Sequence, residues 1–176
     1  MMVTINRAPV LTLWAAVVAE RLGFDRPAAL SLGKAMAGLT AQTKGRRLGI
    51  YGPPKLGEGE RPKKVGLGEE FWVELCGRPI PAKNTPDGIR AVSGPEPIAP
   101  EAVERYLEGK FGEHLSDARK AMERVAGSYP PKELAEKAFS LYEVFRPKIA
   151  SGTRGWGQKG ELNLKQIEAL AKGRAQ

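Results

Sequence analysis

The sequence predicts an α+β domain, mainly α: five to six helices around a buried N-terminal helix, with a small antiparallel β-meander in the middle. Three observations predict it. Apolar residues recur every three or four positions through residues 10–39 and again through residues 100–170. Between them, residues 71–92 switch to aromatic and β-branched residues punctuated by turn signals. The composition, 41% hydrophobic and 27% charged over 176 residues, suits one soluble, cored domain (1–176) rather than a disordered chain.

A first helix is expected from an N-cap at Asn6, with Pro9 in the first turn, where its missing N–H costs nothing. Val10, Leu13, Trp14, Val17 and Val18 leave it almost no polar face, which places it at the centre of the N-terminal half. Gly23 closes it. Asp25 caps a second helix with Pro27 in its first turn, and Leu32, Met36 and Leu39 mark the buried side. Gly33, Ala37 and Ala41 stand four apart, a stripe of small residues that admits another helix closely, from this chain or from a second copy. Residues 1–43 thus read as a helical hairpin.

Residues 44–68 lose the periodicity. They carry seven basic residues and three prolines, Pro53, Pro54 and Pro62, and are expected to form a long basic loop or linker. Residues 69–93 follow as the meander: Phe71 to Leu75, Pro79 to Ala82 and Ile89 to Val92, with turns at 76–78 and 84–88. Pro79 and Pro81 should put the middle piece at an edge or make its pairing irregular. So slight a sheet needs helices packed on it, and the first helix is the expected partner.

Residues 99–176 form the helical part. Val103, Leu107 and Phe111 share one side of a helix from Pro100; Leu115, Ala118, Met122 and Val125 share one side of the next. Leu134, Ala138, Leu141, Tyr142 and Phe145 keep helical period until Pro147. The basic segment SGTRGWGQKG intervenes before Asn163 caps a last helix through Leu164, Ile167 and Leu170, closed by Gly173.

Charge is unevenly spread. The net charge is +8 and the pI about 9.7, which favours acidic partners. Lys and Arg exceed Asp and Glu by 5 in residues 44–64 and by 5 again in 146–176, whereas residues 65–145 are acidic by 4. Lys44, Arg46, Arg47, Lys55, Arg61, Lys63 and Lys64 surround Tyr51; Arg146, Lys148, Arg154, Lys159, Lys165 and Lys172 surround Trp156. Flexible cations suit phosphate, and an aromatic among them can stack on an unpaired base.

Val18-Ala19, Leu22-Gly23-Phe24 and Leu32 resemble the helix-turn-helix superfamily over about Ala16 to Met36: a small residue, then Gly four later, then an apolar residue. The resemblance implies that the second helix is a recognition helix, with Arg26, Ala28, Ser31 and Lys34 facing the major groove of DNA. It departs from the pattern at Ala29, where a β-branched residue is usual, and an ordinary αα-hairpin has the same local sequence.

Other chemistry is poorly served. Gly155-Trp156-Gly157-Gln158-Lys159-Gly160 matches the dinucleotide-binding spacing, but a helix rather than a strand precedes it and only 16 residues follow. A single His114 and a single Cys76 exclude an internal disulfide and His/Cys zinc clusters, and no cofactor or metal is expected. His114 is expected at a helix junction, and Glu101, Glu104 and Glu108 on a solvated helix side. The apolar run from Val10 to Ala19 is too short to span a membrane and continues as an amphipathic helix.

The expected function is therefore non-enzymatic nucleic-acid binding, DNA before RNA, in a bacterial-type cytoplasm. The expected contacts are Arg26, Ser31, Lys34, Lys44, Arg46, Arg47, Lys55, Lys63, Lys64, Arg154, Trp156 and Lys159. The alternative is a protein-interaction or structural module, a homodimer through the small-residue stripe, with no nucleic acid. A third reading is an enzyme of unrecognised type.

Overall fold

The computed structural model of the chain describes residues 2–46, 70–93, 96–147 and 159–171. In chain order these form β1 (Met2–Asn6), α1 (Arg7–Arg21), α2 (Arg26–Arg46), β2 (Glu70–Leu75), β3 (Arg78–Thr85), β4 (Gly88–Ser93), β5 (Glu96–Pro97), α3 (Pro100–Phe111), α4 (Leu115–Gly127), α5 (Pro131–Phe145), β6 (Lys159–Asn163) and α6 (Leu164–Glu168). The fold is α+β and mainly helical.

Helix α1 is buried from Pro9 to Ala19. A helix apolar on every side must be covered on every side, and α2, α4 and α5 do so. Trp14 fixes α5: its indole Nε1 donates to the Ala138 carbonyl at 2.9 Å, and its ring meets Phe145 edge-on at 5.3 Å. Arg21 ends α1 by donating to the Ala126 and Tyr129 carbonyls, which satisfies orphan acceptors at the end of α4. Gly23 takes a φ of 116° in the turn, and Asp25 Oδ1 accepts from the Ala28 N–H at 3.0 Å. Helix α2 then runs to Arg46, past the expected end of the hairpin.

The contact between α1 and α2 is unusually close. A Cβ placed on Gly33 would lie 2.5 Å from the Thr12 carbonyl oxygen and 3.0 Å from Ala16 N. Gly33 is seven residues into α2, about 10 Å beyond the turn. The two legs therefore lie side by side well past the turn, with backbone against backbone.

Two sheets complete the fold. The larger has the order β2-β3-β4-β5, antiparallel throughout. Cys76 (φ 51°) and Gly77 (φ 78°) make the two-residue turn between β2 and β3 with the doubly positive φ that matches strand twist. Here β3 is central and regularly paired with β2, contrary to the expectation from its prolines. Counting from the turn, Pro79 and Pro81 fall where a backbone N would point away from β2. On that other side β4 reaches only Ala82–Thr85. The missing N–H groups thus sit on an open flank, and the ladder loses nothing.

The sheet leans on α2, not chiefly on α1 as expected. Ser31 Oγ accepts from the Ala91 N–H of β4 at 3.0 Å and donates to the Ala28 carbonyl at 2.8 Å. The second sheet, β1 with β6, pairs Met2 with Asn163 and Asn6 with Lys159. It joins the start of the chain to the strand that follows the second basic segment. Asn163 then caps α6, accepting from the Lys165 and Gln166 N–H groups. No helix among the described residues is long and apolar enough to cross a membrane.

Candidate nucleic-acid interface

The expected groove-facing side of α2 is not a free surface. Residues 28–33 are all buried, enclosed by α1, β4 and α3. Ser31, expected to face bases, is wholly buried and has its hydroxyl committed to Ala91 and Ala28. That placement corrects the sequence reading. A hydroxyl in an apolar helix here satisfies an N–H of β4 that the two-residue β5 does not reach, because that N–H buried without a partner would be costly.

Arg26, at the first position of α2, is half exposed and lies 3.6 Å from Glu20. Lys34 turns onto α3, with Nζ 4.3 Å from the Tyr106 ring centroid. Lys44 and Arg46 are backbone positions on the last turn of α2, away from this cluster. Arg47, Lys55, Lys63, Lys64, Arg154 and Trp156 lie outside the described residues, as does most of the glycine motif. Gly33 of the small-residue stripe is packed against Thr12 and Ala16 of α1.

Four carboxylates of the helical body, Glu20, Glu123, Glu133 and Glu168, meet cations in place. Glu20 lies 3.2 Å from Arg119, which also approaches Glu123 at 3.7 Å. Glu168 meets Arg124 at 2.8 Å, and Glu133 meets Lys137 at 3.0 Å. A shallow cleft of about 230 Å³ between α1 and α4 is lined by Val17, Glu20, Arg21, Glu123, Ala126 and Gly127. Its polar groups are the same ones already engaged with Arg119 and with the end of α4, and its volume falls below the range of small-molecule pockets.

The other end of α1 is different. Arg7 Nε donates to the Pro147 carbonyl at 2.9 Å. The Tyr142 hydroxyl donates to the Arg7 carbonyl at 3.5 Å, and Arg146 lies over the Tyr142 ring with its guanidinium carbon 6.0 Å from the centroid. Two guanidiniums therefore stand at one corner. Among the described residues neither has a carboxylate partner. Burial pushes the Tyr142 phenol up to about 12, against the opposing pull of both arginines, so it stays neutral and offers them no charge. Burial and then the Arg146 charge hold the Arg7 guanidinium below its ordinary pKa, still protonated.

Lys159 belongs to the same corner by register, its Cα opposite Asn6. The second basic segment therefore leaves at Pro147 and returns at Lys159 beside Arg7. Sequence reading grouped Arg146 and Lys159 but missed Arg7, whose hydrogen bond spans 140 positions and leaves no local trace. A second excess of positive charge lies on the larger sheet, where Lys83 stands directly opposite Arg90 and neither has a carboxylate partner among the described residues. Arg90 is 8% exposed and donates to the Ile89 carbonyl, so it contributes field rather than contact.

Cys76 is buried at its turn, and burial alone pushes its thiol up to about 12. His114 sits in the 3-10 turn that joins α3 to α4. Compared with protein-family models, with curated proteins and with solved structures, the chain matches none.

Proposed function

We propose that the chain is a non-enzymatic nucleic-acid-binding protein that grips phosphate through its basic ends and segments, without reading bases through α2. One observation carries this reading: Arg7, Arg146 and Lys83 have no carboxylate within ion-pair distance among the described residues, whereas Arg119, Arg124 and Lys137 meet Glu20, Glu168 and Glu133. Cations with no carboxylate beside them leave a positive field for a polyanion. The helix-turn-helix resemblance contributes the hairpin and its caps; the enclosure of residues 28–33 favours phosphate contact over groove contact.

The test is a titration of the full chain with labelled duplex and single-stranded DNA and RNA between about 50 and 200 mM salt. The logarithm of affinity should fall linearly with the logarithm of salt, steeply enough to lose about a thousandfold over that range if six or more phosphates are contacted. No binding to any of the polymers at the lowest salt overturns the proposal. Duplex and single strand of equal length should differ little, because backbone charge rather than groove shape is recognised.

A further inference from the structure

We infer that the corner formed by Arg7 and Arg146 is a discrete site for a phosphate group, held between two guanidiniums at the start of α1.

The geometry limits what each arginine can do. Arg7 spends Nε on the Pro147 carbonyl, which leaves the outer edge of its guanidinium for a ligand and fixes its plane. Arg146 follows the C-terminal end of α5 with its guanidinium carbon 6.0 Å from the Tyr142 ring centroid, a contact with the ring's π-face that engages no N–H donor in a hydrogen bond to it. Both groups are half-buried, and Tyr142 beneath them is 1% exposed. Like charges at one corner repel, and that repulsion persists unless an anion joins them.

The backbone adds to the field. Arg7 is the first residue of a 15-residue helix whose first turn carries no acidic residue, so the positive end of the helix dipole faces this corner. A tetrahedral oxyanion with several acceptor oxygens matches two multi-donor guanidiniums better than a halide, which accepts without directional preference. Phosphate is the ligand class that these donors select. Its source, whether a phosphodiester of a bound strand or free phosphate, is the part that rests on the nucleic-acid reading.

The experiment follows the side-chain Nε–Hε resonances of the 15N-labelled full chain at constant ionic strength. It uses inorganic phosphate, then a short oligothymidylate, with chloride as the reference salt. Arg7 and Arg146 should shift together with phosphate or oligonucleotide, whereas Arg124, paired with Glu168, should not. Arg146→Gln should weaken the response of Arg7 about tenfold. Arg7→Lys keeps the charge but not the fork, and should weaken the response of Arg146 even if Arg7→Ala fails to fold.

Shifts with both probes support a site open to free phosphate. Shifts with the oligonucleotide alone support the site with the strand as its source. Shifts with phosphate in a protein that binds no nucleic acid support the site and remove the function proposed above. The inference is overturned by unmoved Arg7 and Arg146 signals with both probes, or by undiminished Arg7 shifts in Arg146→Gln.

Discussion

Replacing Gly33 by Ala is the sharpest perturbation of the hairpin on which the fold rests. The new methyl would lie 2.5 Å from the Thr12 carbonyl oxygen, roughly 0.9 Å short of the 3.4 Å at which ordinary contact begins. It would also lie 3.0 Å from Ala16 N and 3.2 Å from Ala16 Cβ. Two of these three neighbours are backbone atoms of a buried helix, so no side chain can swing away and the helices must separate. Overpacking of this kind costs roughly 1–3 kcal/mol, with the upper half expected where backbone is struck. Ala returns about 1 kcal/mol of helix propensity, leaving a net loss of roughly 1–2 kcal/mol. At about 2–4 °C per kcal/mol for a chain of this size, Tm should fall by roughly 2–8 °C. Gly38, in the same helix, has nothing within 4 Å of its missing Cβ, so Gly38→Ala should gain up to about 1 kcal/mol. Calorimetry of the two variants side by side is the assay. A Gly33→Ala protein as stable as the parent, or one that gains as much as Gly38→Ala, refutes the close antiparallel approach of α1 and α2.

Ser31→Ala should lower stability by about 1–3 kcal/mol by leaving the Ala91 N–H buried without its acceptor, read as a lower urea midpoint at unchanged slope. Cys76 and Tyr142 both have pKa values pushed up to about 12 by burial, so the unfolded chain releases these protons first as pH rises. Their contribution is therefore complete below about pH 9 and lost as pH climbs toward about 12. Urea midpoints should fall over that window, less steeply in Cys76→Ala, and the native thiol should resist disulfide reagents at pH 8. In nucleic-acid titrations, Arg146→Gln should reduce the salt slope by about one, while Arg26→Gln should leave it unchanged because Glu20 already holds that guanidinium. Equal slopes for both variants would remove the phosphate-tracking argument.

Much of the helical scaffold was legible because its signals are local. Asp25 and Asn163 cap the helices that follow them, Gly23 takes the positive φ of the turn, and the apolar faces of α3, α4 and α5 follow the 3.6-residue period. What escaped was settled by pairing across distance. MVTIN and KGELN are each too short and too mixed to announce a strand, yet they pair from opposite ends of the chain. The prolines of β3 were visible, but their meaning depended on how far β4 extends along the other flank. Ser31 misled for the same reason: outward and edge-facing positions look alike until the sheet is in place.

The candidate site illustrates the difference further. A tally of cations finds the two basic segments, but it cannot tell a charge that is neutralised from one that is not. Glu20 separates them: it draws in Arg26 and Arg119 and removes the hairpin turn from any positive surface. At the opposite end of α1 the corresponding partner is Tyr142, whose phenol remains protonated and so neutralises nothing. The same helix thus has one end compensated and one end not, and the uncompensated end lies where β1 meets the strand returning from the second basic segment. An anion bound there would tie α1, the end of α5 and β6 together while relieving the repulsion between Arg7 and Arg146. Binding and folding stability are then coupled through the same two guanidiniums, and any ligand selective for the folded corner must raise the stability of the whole chain.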